Sequence, residues 1–209
     1  MPKANLFAEI RAEYFPAPLV AGIIARPVAG EVLWALSSQL DEEIETPFVE
    51  LGLYEMPAAR RQRAQRLREI YGRLHQEHFV FYNPKDEPVG WSYGHMLDES
   101  TFFMSWSRVA KAYQRRGIYT GFLQSLLPYL RALGYERVTS KHMVNNRPVL
   151  IAKLKAGLHI VGLSLDERFG AQVTLAHFFH QDRQDGFCRA FSLERRFPSP
   201  ADDARRAPQ

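Results

Sequence analysis

The 209-residue chain has a single cysteine, Cys188, and no long apolar run. One cysteine cannot form a disulfide within the chain, which favours a cytoplasmic protein over a secreted one. No stretch approaches the roughly 20 apolar residues that a membrane span needs. Charged residues from Lys3 to Glu13 interrupt the region where a signal peptide would be apolar. We therefore expect a cytoplasmic protein that does not cross a membrane.

The chain also lacks the features of a nucleic-acid-binding protein, although its formal net charge is +4. Its arginines are concentrated in residues 60–73 and near the C-terminus, without interleaved aromatic residues or a known binding motif. This pattern is typical of a solvated helix face and a basic tail. The excess of positive charge mildly favours anionic ligands, and nucleic-acid binding remains only a third alternative.

Length and composition indicate one globular domain with additions at both ends. Hydrophobic residues make up 46% and aromatic residues 12% of the chain, which is enough for a well-packed core. We assign residues 1–19 to an N-terminal extension, 20–196 to the domain, and 197–209 to a proline-rich, polar tail that is expected to be disordered.

Hydrophobic periodicity and turn residues predict an alternation of strands and helices through the domain. The expected strands are 20–26, 78–82, 89–96, 101–109, 138–144, 158–165, 172–180 and a short edge strand at 187–193. The expected helices are 30–44, 57–76, 117–133 and one that follows Asn146. The order of strand 101–109, helix and strand 138–144 predicts a βαβ unit whose two strands are parallel neighbours.

The most informative segment is residues 109–122, in which a strand leads through a basic, glycine-containing turn into an amphipathic helix. A helix N-terminus presents backbone N–H groups without partners and about half a positive charge, so that it suits a phosphate or pyrophosphate group. Arg115 and Arg116 add full charges beside it. The pattern predicts a phosphate-binding loop from Gln114 to Thr120.

A second landmark lies downstream, where Asn146 is followed eleven residues later by Gly157. Together with Gln114 and Gly117, this spacing resembles the GNAT superfamily of acyl-CoA-dependent N-acyltransferases over roughly residues 20–180. The resemblance implies an α/β fold with a mixed, mostly antiparallel central sheet, helices on both faces and a splayed parallel strand pair. It also implies acetyl-CoA as co-substrate and no metal.

Three positions depart from the pattern of that family. Tyr119 stands where the loop usually has Gly or Ala, and Leu158 stands where Phe usually follows Gly157. Lys153 stands where many members place a Tyr that protonates the leaving thiolate. An ordinary lysine, with a pKa near ~10.4, is a sluggish acid unless burial lowers that value, so we expect little contribution from Lys153.

The loop and the resemblance give a set of expected cofactor-binding residues. Position in a strand gives one candidate catalytic residue, His142, which could equally be a satisfied, partly buried histidine. His142 lies near the carboxyl end of strand 138–144, where it could accept the proton of the attacking amine near its ordinary pKa of ~6.5. The expected cofactor-binding residues are Val109, Gln114, Arg115, Arg116, Gly117, Ile118, Tyr119, Thr120 and Asn146.

The expected function is direct transfer of an acetyl group from acetyl-CoA to a primary amine in a ternary complex. The alternative is a non-catalytic acyl-CoA-binding module or sensor. The acceptor, a small molecule or a peptide amine, is not specified by the sequence. Acyl chain length and oligomeric state, a homodimer included, stay open as well.

Overall fold

A computed structural model describes residues 6–41, 57–167 and 169–191 of the chain. The predicted tail at 197–209 lies outside the described residues. None of the helices in the described ranges is long and apolar enough to cross a bilayer.

The strands form one sheet in the order β1-β2-β3-β4-β5-β6-β8-β7. Within the described residues β5 and β6 are the only parallel neighbours, and the other pairs are antiparallel. This confirms the predicted mixed, mostly antiparallel sheet. The strands are β1 (Ala17–Pro18), β2 (Ile24–Pro27), β3 (Gln76–Tyr82), β4 (Pro88–Met96), β5 (Thr101–Val109), β6 (Arg137–Met143), β7 (His159–Asp166) and β8 (Gly170–Phe178).

Helices cover both faces of the sheet. The described helices are α1 (Leu6–Tyr14), α2 (Gly30–Asp41), α3 (Ala58–Tyr71), α4 (Ile118–Ala132), α5 (Arg147–Lys155) and α6 (Gln181–Ala190). On one face α4 buries Phe122, Leu126 and Leu130 in the main core. On the other face α2 buries Leu33 against Val80 and Trp91.

The helix α4 connects β5 to β6 and follows the amphipathic pattern of the sequence. Its apolar residues recur every three or four positions, so they form one stripe that faces the sheet. Gly117 precedes the first turn with a φ of 82°, which a residue with a Cβ rarely adopts. The helix continues through Pro128 to Ala132.

Two predicted strands are wrong in whole or in part. Residues 187–190 of the predicted edge strand 187–193 belong to α6. Phe187 of this helix packs on Phe178 and Phe191. Residues 192–193 lie outside the described ranges. The spacing of Phe187 and Phe191, four residues apart, is the helical signal that was missed. The predicted strand 20–26 begins only at Ile24, because Ala21 has a left-handed φ of 55° in a preceding turn.

The predicted helix 57–76 is shorter than expected, and its apolar face is not buried. The chain turns after Tyr71, and Gln76 already belongs to β3. Leu67 and Ile70 keep 68% and 61% of their surface exposed. The helical spacing of apolar residues in this segment therefore predicted the helix correctly, but it did not predict that these residues are exposed.

An ionic cluster ties α1 to the sheet and to α4. The carboxylate of Glu77, which is 2% exposed, accepts hydrogen bonds from Arg11 Nη2 (2.8 Å) and Tyr129 Oη (2.6 Å) and also contacts His75 Nε2 (2.9 Å). Burial alone would raise the pKa of Glu77, but the hydrogen bonds from His75, Arg11 and Tyr129 outweigh it and hold that pKa below its ordinary value. Residues 6–14, assigned to the extension, thus contact the core.

We expect Glu77→Gln to lower the free energy of unfolding by about 2–3 kcal/mol, because it leaves Arg11 without its counter-charge in a half-buried position. Since the native pKa of Glu77 is lowered, its contribution is present above the ordinary pKa of a glutamate and is lost as pH falls through the native value. Denaturant unfolding at pH 7 and pH 4 should show the loss shrinking in acid.

Asp86→Asn, which removes the exposed Arg26–Asp86 ion pair, is the matched control and should change stability much less. An equal loss of unfolding free energy in both variants would show that the buried cluster stabilises the fold no more than an exposed ion pair does.

Candidate active site

The parallel strands β5 and β6 separate after three residue pairs. Thr101, Phe102 and Phe103 pair with β6, whereas β5 continues to Val109 without a partner on that edge. Beyond this point β6 pairs only with β8, as far as Met143. The result is a gap at the carboxyl ends of two parallel strands, which is where ligands bind in open α/β sheets.

The phosphate-binding loop predicted at Gln114–Thr120 opens from the end of this gap. Arg115 and Gly117 both have left-handed backbone conformations, with φ of 59° and 82°. Such turns direct successive N–H groups toward one concave region that suits an anion. Among the described residues, no hydrogen bond engages the backbone N–H of Arg115, Arg116 or Gly117.

Side chains around the loop hold its shape. Gln114 Nε2 donates to the carbonyl of Val109 at 3.0 Å, which ties the loop to the end of β5. Ile118 is buried in the core. The hydroxyl of Tyr119 is hydrogen-bonded to Ser107, and burial raises the pKa of that phenol. Arg115 and Arg116 are exposed, and the Arg116 guanidinium lies 5.3 Å from the centroid of the Tyr113 ring.

The free edge of β5 offers backbone groups to a ligand in the gap. The backbone N–H of Ala110 donates to the carbonyl of Val89 on β4 at 2.9 Å, so it is directed away from the gap. Because successive residues of a strand direct their N–H groups to opposite edges, the Val109 N–H is directed toward the gap. A bulge places Trp106 opposite Tyr93 and Met104 opposite Gly94, which leaves Ser105 without a partner residue on β4. No sequence signal had marked Ser105.

Asn146 lies just beyond β6 and starts α5. Capping would be a sufficient reason for an Asn at this position, yet its side chain makes no capping hydrogen bond. Its backbone N–H donates to Met143 at 3.0 Å, which fixes the turn at the end of β6. The amide side chain can therefore bind a ligand without losing a structural bond.

His142 and Lys153 lie near each other beside the gap. A hydrogen bond of 3.2 Å joins His142 Nε2 to Ser140 Oγ. Burial, and secondarily the charge of Lys153, lower the pKa of His142 to about 3. The expectation that His142 titrates near pH 6.5 is therefore wrong, because its imidazole stays unprotonated throughout the neutral range.

Lys153 is 1% exposed, and its Nζ contacts Met104 Sδ at 3.9 Å. Burial lowers the pKa of Lys153 to about 7. The condition under which a lysine becomes an effective acid is thus met, and the expectation of a small role for Lys153 loses its basis. The sequence pattern could not have revealed the burial of Lys153, because lysines in a helix are ordinarily exposed.

The opposite face of the sheet carries aromatic residues and His95. His95 is 7% exposed, its Nδ1 is hydrogen-bonded to Ser105 Oγ at 2.9 Å, and burial lowers its pKa. Trp106 and Phe169 pack edge to face on the same side, with centroids 6.1 Å apart. The helices α4 and α5 lie on the other face, whereas α2 packs on Trp91 and Tyr71 packs on His95 on this one. Trp106, beside the gap, keeps 40% of its surface exposed.

Comparison with known proteins is consistent with this geometry. The acetyltransferase (GNAT) family model matches residues 38–151, more than half of the chain. No curated protein sequence matches the chain significantly.

Solved structures share the fold at low sequence identity. RimJ of Mycobacterium smegmatis, in complex with a CoA-disulfide, is 17% identical, with a TM-score of 0.58 over 86% of this chain and 96% of its own. RimL, a ribosomal-protein alpha-N-acetyltransferase in complex with coenzyme A, is 13% identical, with a TM-score of 0.57 over 77% and 96%. The dodecameric spermidine N-acetyltransferase of Vibrio cholerae is 12% identical, with a TM-score of 0.55 over 75% and 94%.

The burial of Lys153 predicts a pH-dependent stability effect. Between pH about 7 and the ordinary lysine pKa of ~10.4 the unfolded chain binds more protons than the native one, so the native protein gains stability as pH rises through that window. Lys153→Met removes the buried charge and should raise the free energy of unfolding by about 4–5 kcal/mol near pH 6. The gain should vanish by pH ~10.4.

Denaturant unfolding at several pH values measures this difference, with Lys155→Met, an exposed lysine on the same helix, as the control. A pH-independent difference for Lys153→Met would show that Lys153 titrates normally.

Proposed function

Because the chain belongs to the GNAT acetyltransferase family, we propose that it transfers an acetyl group from acetyl-CoA to a primary amine by direct attack in a ternary complex. The observation that supports this most strongly is the continuity between the β5–β6 gap and the anion-binding loop. Together they offer a site for a long ligand with a pyrophosphate at one end and a reactive group at the other.

The pyrophosphate of acetyl-CoA is assigned to the backbone N–H groups of residues 114–120, with Arg115 and Arg116 adding charge. The amide-bearing arm of the cofactor then follows the free edge of β5 from Val109 toward Met104, as an added strand would. The five residue-to-residue steps from Val109 to Met104 span roughly 17 Å, which suits an extended arm. Asn146 contacts the arm from the β6 side.

At the far end of the arm the thioester carbonyl lies near the bulge at Ser105. A backbone N–H freed by a bulge can donate to the carbonyl oxygen and stabilise the negative charge that develops there. The amine approaches from the aromatic face that carries Trp106 and Phe169. Its nitrogen attacks the carbonyl carbon, the C–N bond forms, and the C–S bond breaks.

His142 is assigned as the acceptor of the amine proton during the transfer. With a pKa of about 3 it cannot deprotonate a free alkylammonium ion of pKa ~10.4. It can take the proton after attack, because nitrogen bonded to the carbonyl carbon becomes far more acidic. The free amine must therefore arrive in its neutral form.

The test of the proposed function is thiol release from acetyl-CoA in the presence of a panel of amines, amino acids and peptides. Amine-dependent release together with acetylated product supports the transferase. Tight acetyl-CoA binding without release for any amine would favour the non-catalytic module or sensor, which is the second candidate.

Gly117→Glu should abolish measurable CoA binding, because it places a carboxylate and a strained side chain where the pyrophosphate is assigned. The matched control is Gly134→Glu at the other end of α4, where the glycine also has a positive φ, of 97°, and an added Cβ meets nothing within 4 Å. Calorimetric titration with CoA should therefore separate the two variants. Unchanged affinity of Gly117→Glu would place the pyrophosphate elsewhere.

His142→Ala should lower turnover about 10²-fold, at the lower end of general base contributions, because a group of such low pKa is a weak base. The shape of the pH profile should not change, since His142 does not titrate in the measured range. The exposed His180→Ala is the control and should keep full activity. Full activity of His142→Ala would show that water takes the proton.

A further inference from the structure

The strand β7 lies at one end of the sheet, and its outer side has no strand partner among the described residues. Within the part of the chain that the structure describes, no backbone group of residues 160–165 is hydrogen-bonded to a segment other than β8. The opposite end of the sheet is protected, because β1 there has only two residues and one of them is a proline. A longer unpaired strand is a template on which another chain can pair.

The strand β7 has few of the features that keep sheet edges from pairing. Residues 160–165 include no charged residue and no proline. A bulge between Ile160 and Gly162 is the one protective device of this segment, and the pairing with β8 is regular beyond it. Leu163 and Leu165 keep 72% and 86% of their surface exposed. An apolar, uncharged edge of this kind favours burial against another polypeptide.

The exposed leucines share the face of the sheet on which α5 lies. Leu163 is opposite Val173 on β8, and Val173 is opposite His142 on β6. Directly opposite residues of neighbouring strands lie on one face, and the charge of Lys153 on α5 acts on His142. Leu163 therefore lies in the same row of side chains as His142, two strands farther out and beyond the cover that α5 provides.

The apolar surface on this side of the sheet is large enough to form the core of an interface. On α5, the connection between β6 and β7, Ile151 and Leu154 are 52% and 44% exposed. With the four aliphatic residues of β7 they offer on the order of 300 Å² of apolar surface, at roughly 100 Å² for a fully exposed side chain. A typical stable interface buries about 450 Å² of apolar surface per partner. These residues therefore supply about two thirds of that area.

The edge of β7 is complementary to itself, as a two-fold symmetric interface requires. If the axis passes beside Leu163, antiparallel pairing places Leu163 opposite its own copy and Leu165 opposite Val161 of the partner subunit. These three side chains lie two residues apart along the strand and therefore share one face. The register pairs aliphatic residues with aliphatic residues on that face and opposes no two like charges.

We propose that two copies of the chain form a symmetric dimer in which their β7 strands pair antiparallel. The two eight-stranded sheets then join into one continuous sheet. The exposed leucines of both subunits are buried against each other on the side of α5. The competing occupants of this edge are an extended peptide of another protein and residues 192–209 of this chain. The proposal does not rest on the transferase activity.

The first experiment measures the mass of the full chain by multi-angle light scattering at about 100 μM, where association with a Kd of ~1 μM is nearly complete. The wild type should have twice the 24.1 kDa mass of one chain. Leu163→Lys places two ammonium groups opposite each other at the axis, so it should raise the Kd at least about 10²-fold and yield a monomer. Because Leu163 is largely exposed in one subunit, this variant should keep its fold, which circular dichroism verifies.

The matched control is Leu67→Lys on α3. Leu67 is 68% exposed, close to the exposure of Leu163, but it lies on a helix outside the proposed interface. This variant should remain a dimer with an unchanged Kd.

A cysteine placed on the axis tests the register. Directly opposite residues of antiparallel strands have Cα atoms ~4.5–5.5 Å apart, within the range that a disulfide spans. In a Cys188→Ser background, Leu163→Cys should therefore form a disulfide between subunits under mild oxidation. Leu165→Cys should not, because Leu165 and its copy lie four residues apart along the strands, roughly 13 Å.

A wild-type monomer at this concentration would overturn the proposal and leave the tail or another protein as the occupant of the edge. A dimer that persists in Leu163→Lys would overturn it as well, because the interface would then lie elsewhere. A dimer in which Leu165→Cys forms the disulfide and Leu163→Cys does not would refute the proposed pairing of the two β7 strands.

Discussion

The architecture of the site depends on the separation of β5 from β6. Each strand is held on its outer edge, β5 by β4 and β6 by β8, along nearly its whole length. Only three residue pairs hold the two strands together. From Met104 to Val109 the β5 edge that faces β6 has no strand partner among the described residues. In the proposed function an extended ligand with amide groups pairs with this edge.

The helices on one side of the sheet complete the site. The helix α4 must start at the end of β5, so its unpaired N–H groups and the left-handed Gly117 lie at the open end of the gap. The helix α5 must start after β6, so Lys153, on its inner face, reaches across to Met104 on β5. The same connectivity that builds the sheet thus places the loop proposed to bind the pyrophosphate at one end of the gap and the buried amine of Lys153 at the other.

Two buried charges in this protein illustrate opposite uses of burial. Glu77 is surrounded by Arg11, Tyr129 and His75, and these partners keep it ionised. Its contribution is to fix α1 against the sheet. Lys153 has no charged partner among the described residues, and desolvation lowers its pKa toward neutrality. A buried charge with partners stabilises the fold, whereas one without partners lowers its own pKa at a cost in stability.

Local pattern determined much of the fold. Turn residues predicted β4, an apolar run predicted β5 and the helical repeat predicted α4, each nearly to the residue. The same reasoning was wrong for 187–190, where aromatic residues favoured a strand although their spacing fits α6. It also gave the helix at 58–71 correctly but not its exposure, because a repeat does not reveal whether another element covers it.

What the sequence by itself determined is the order of elements, the loop with Gly117, and the place of Asn146 eleven residues before Gly157. These features follow from local backbone preferences, which neighbouring residues dictate. Only the tertiary structure decided the length of the β5–β6 gap, the bulge at Ser105, and the burial of His142 and Lys153. Burial and pKa depend on residues distant in the chain, such as Met104 and Lys153, 49 positions apart, so they become visible only when the chain is folded.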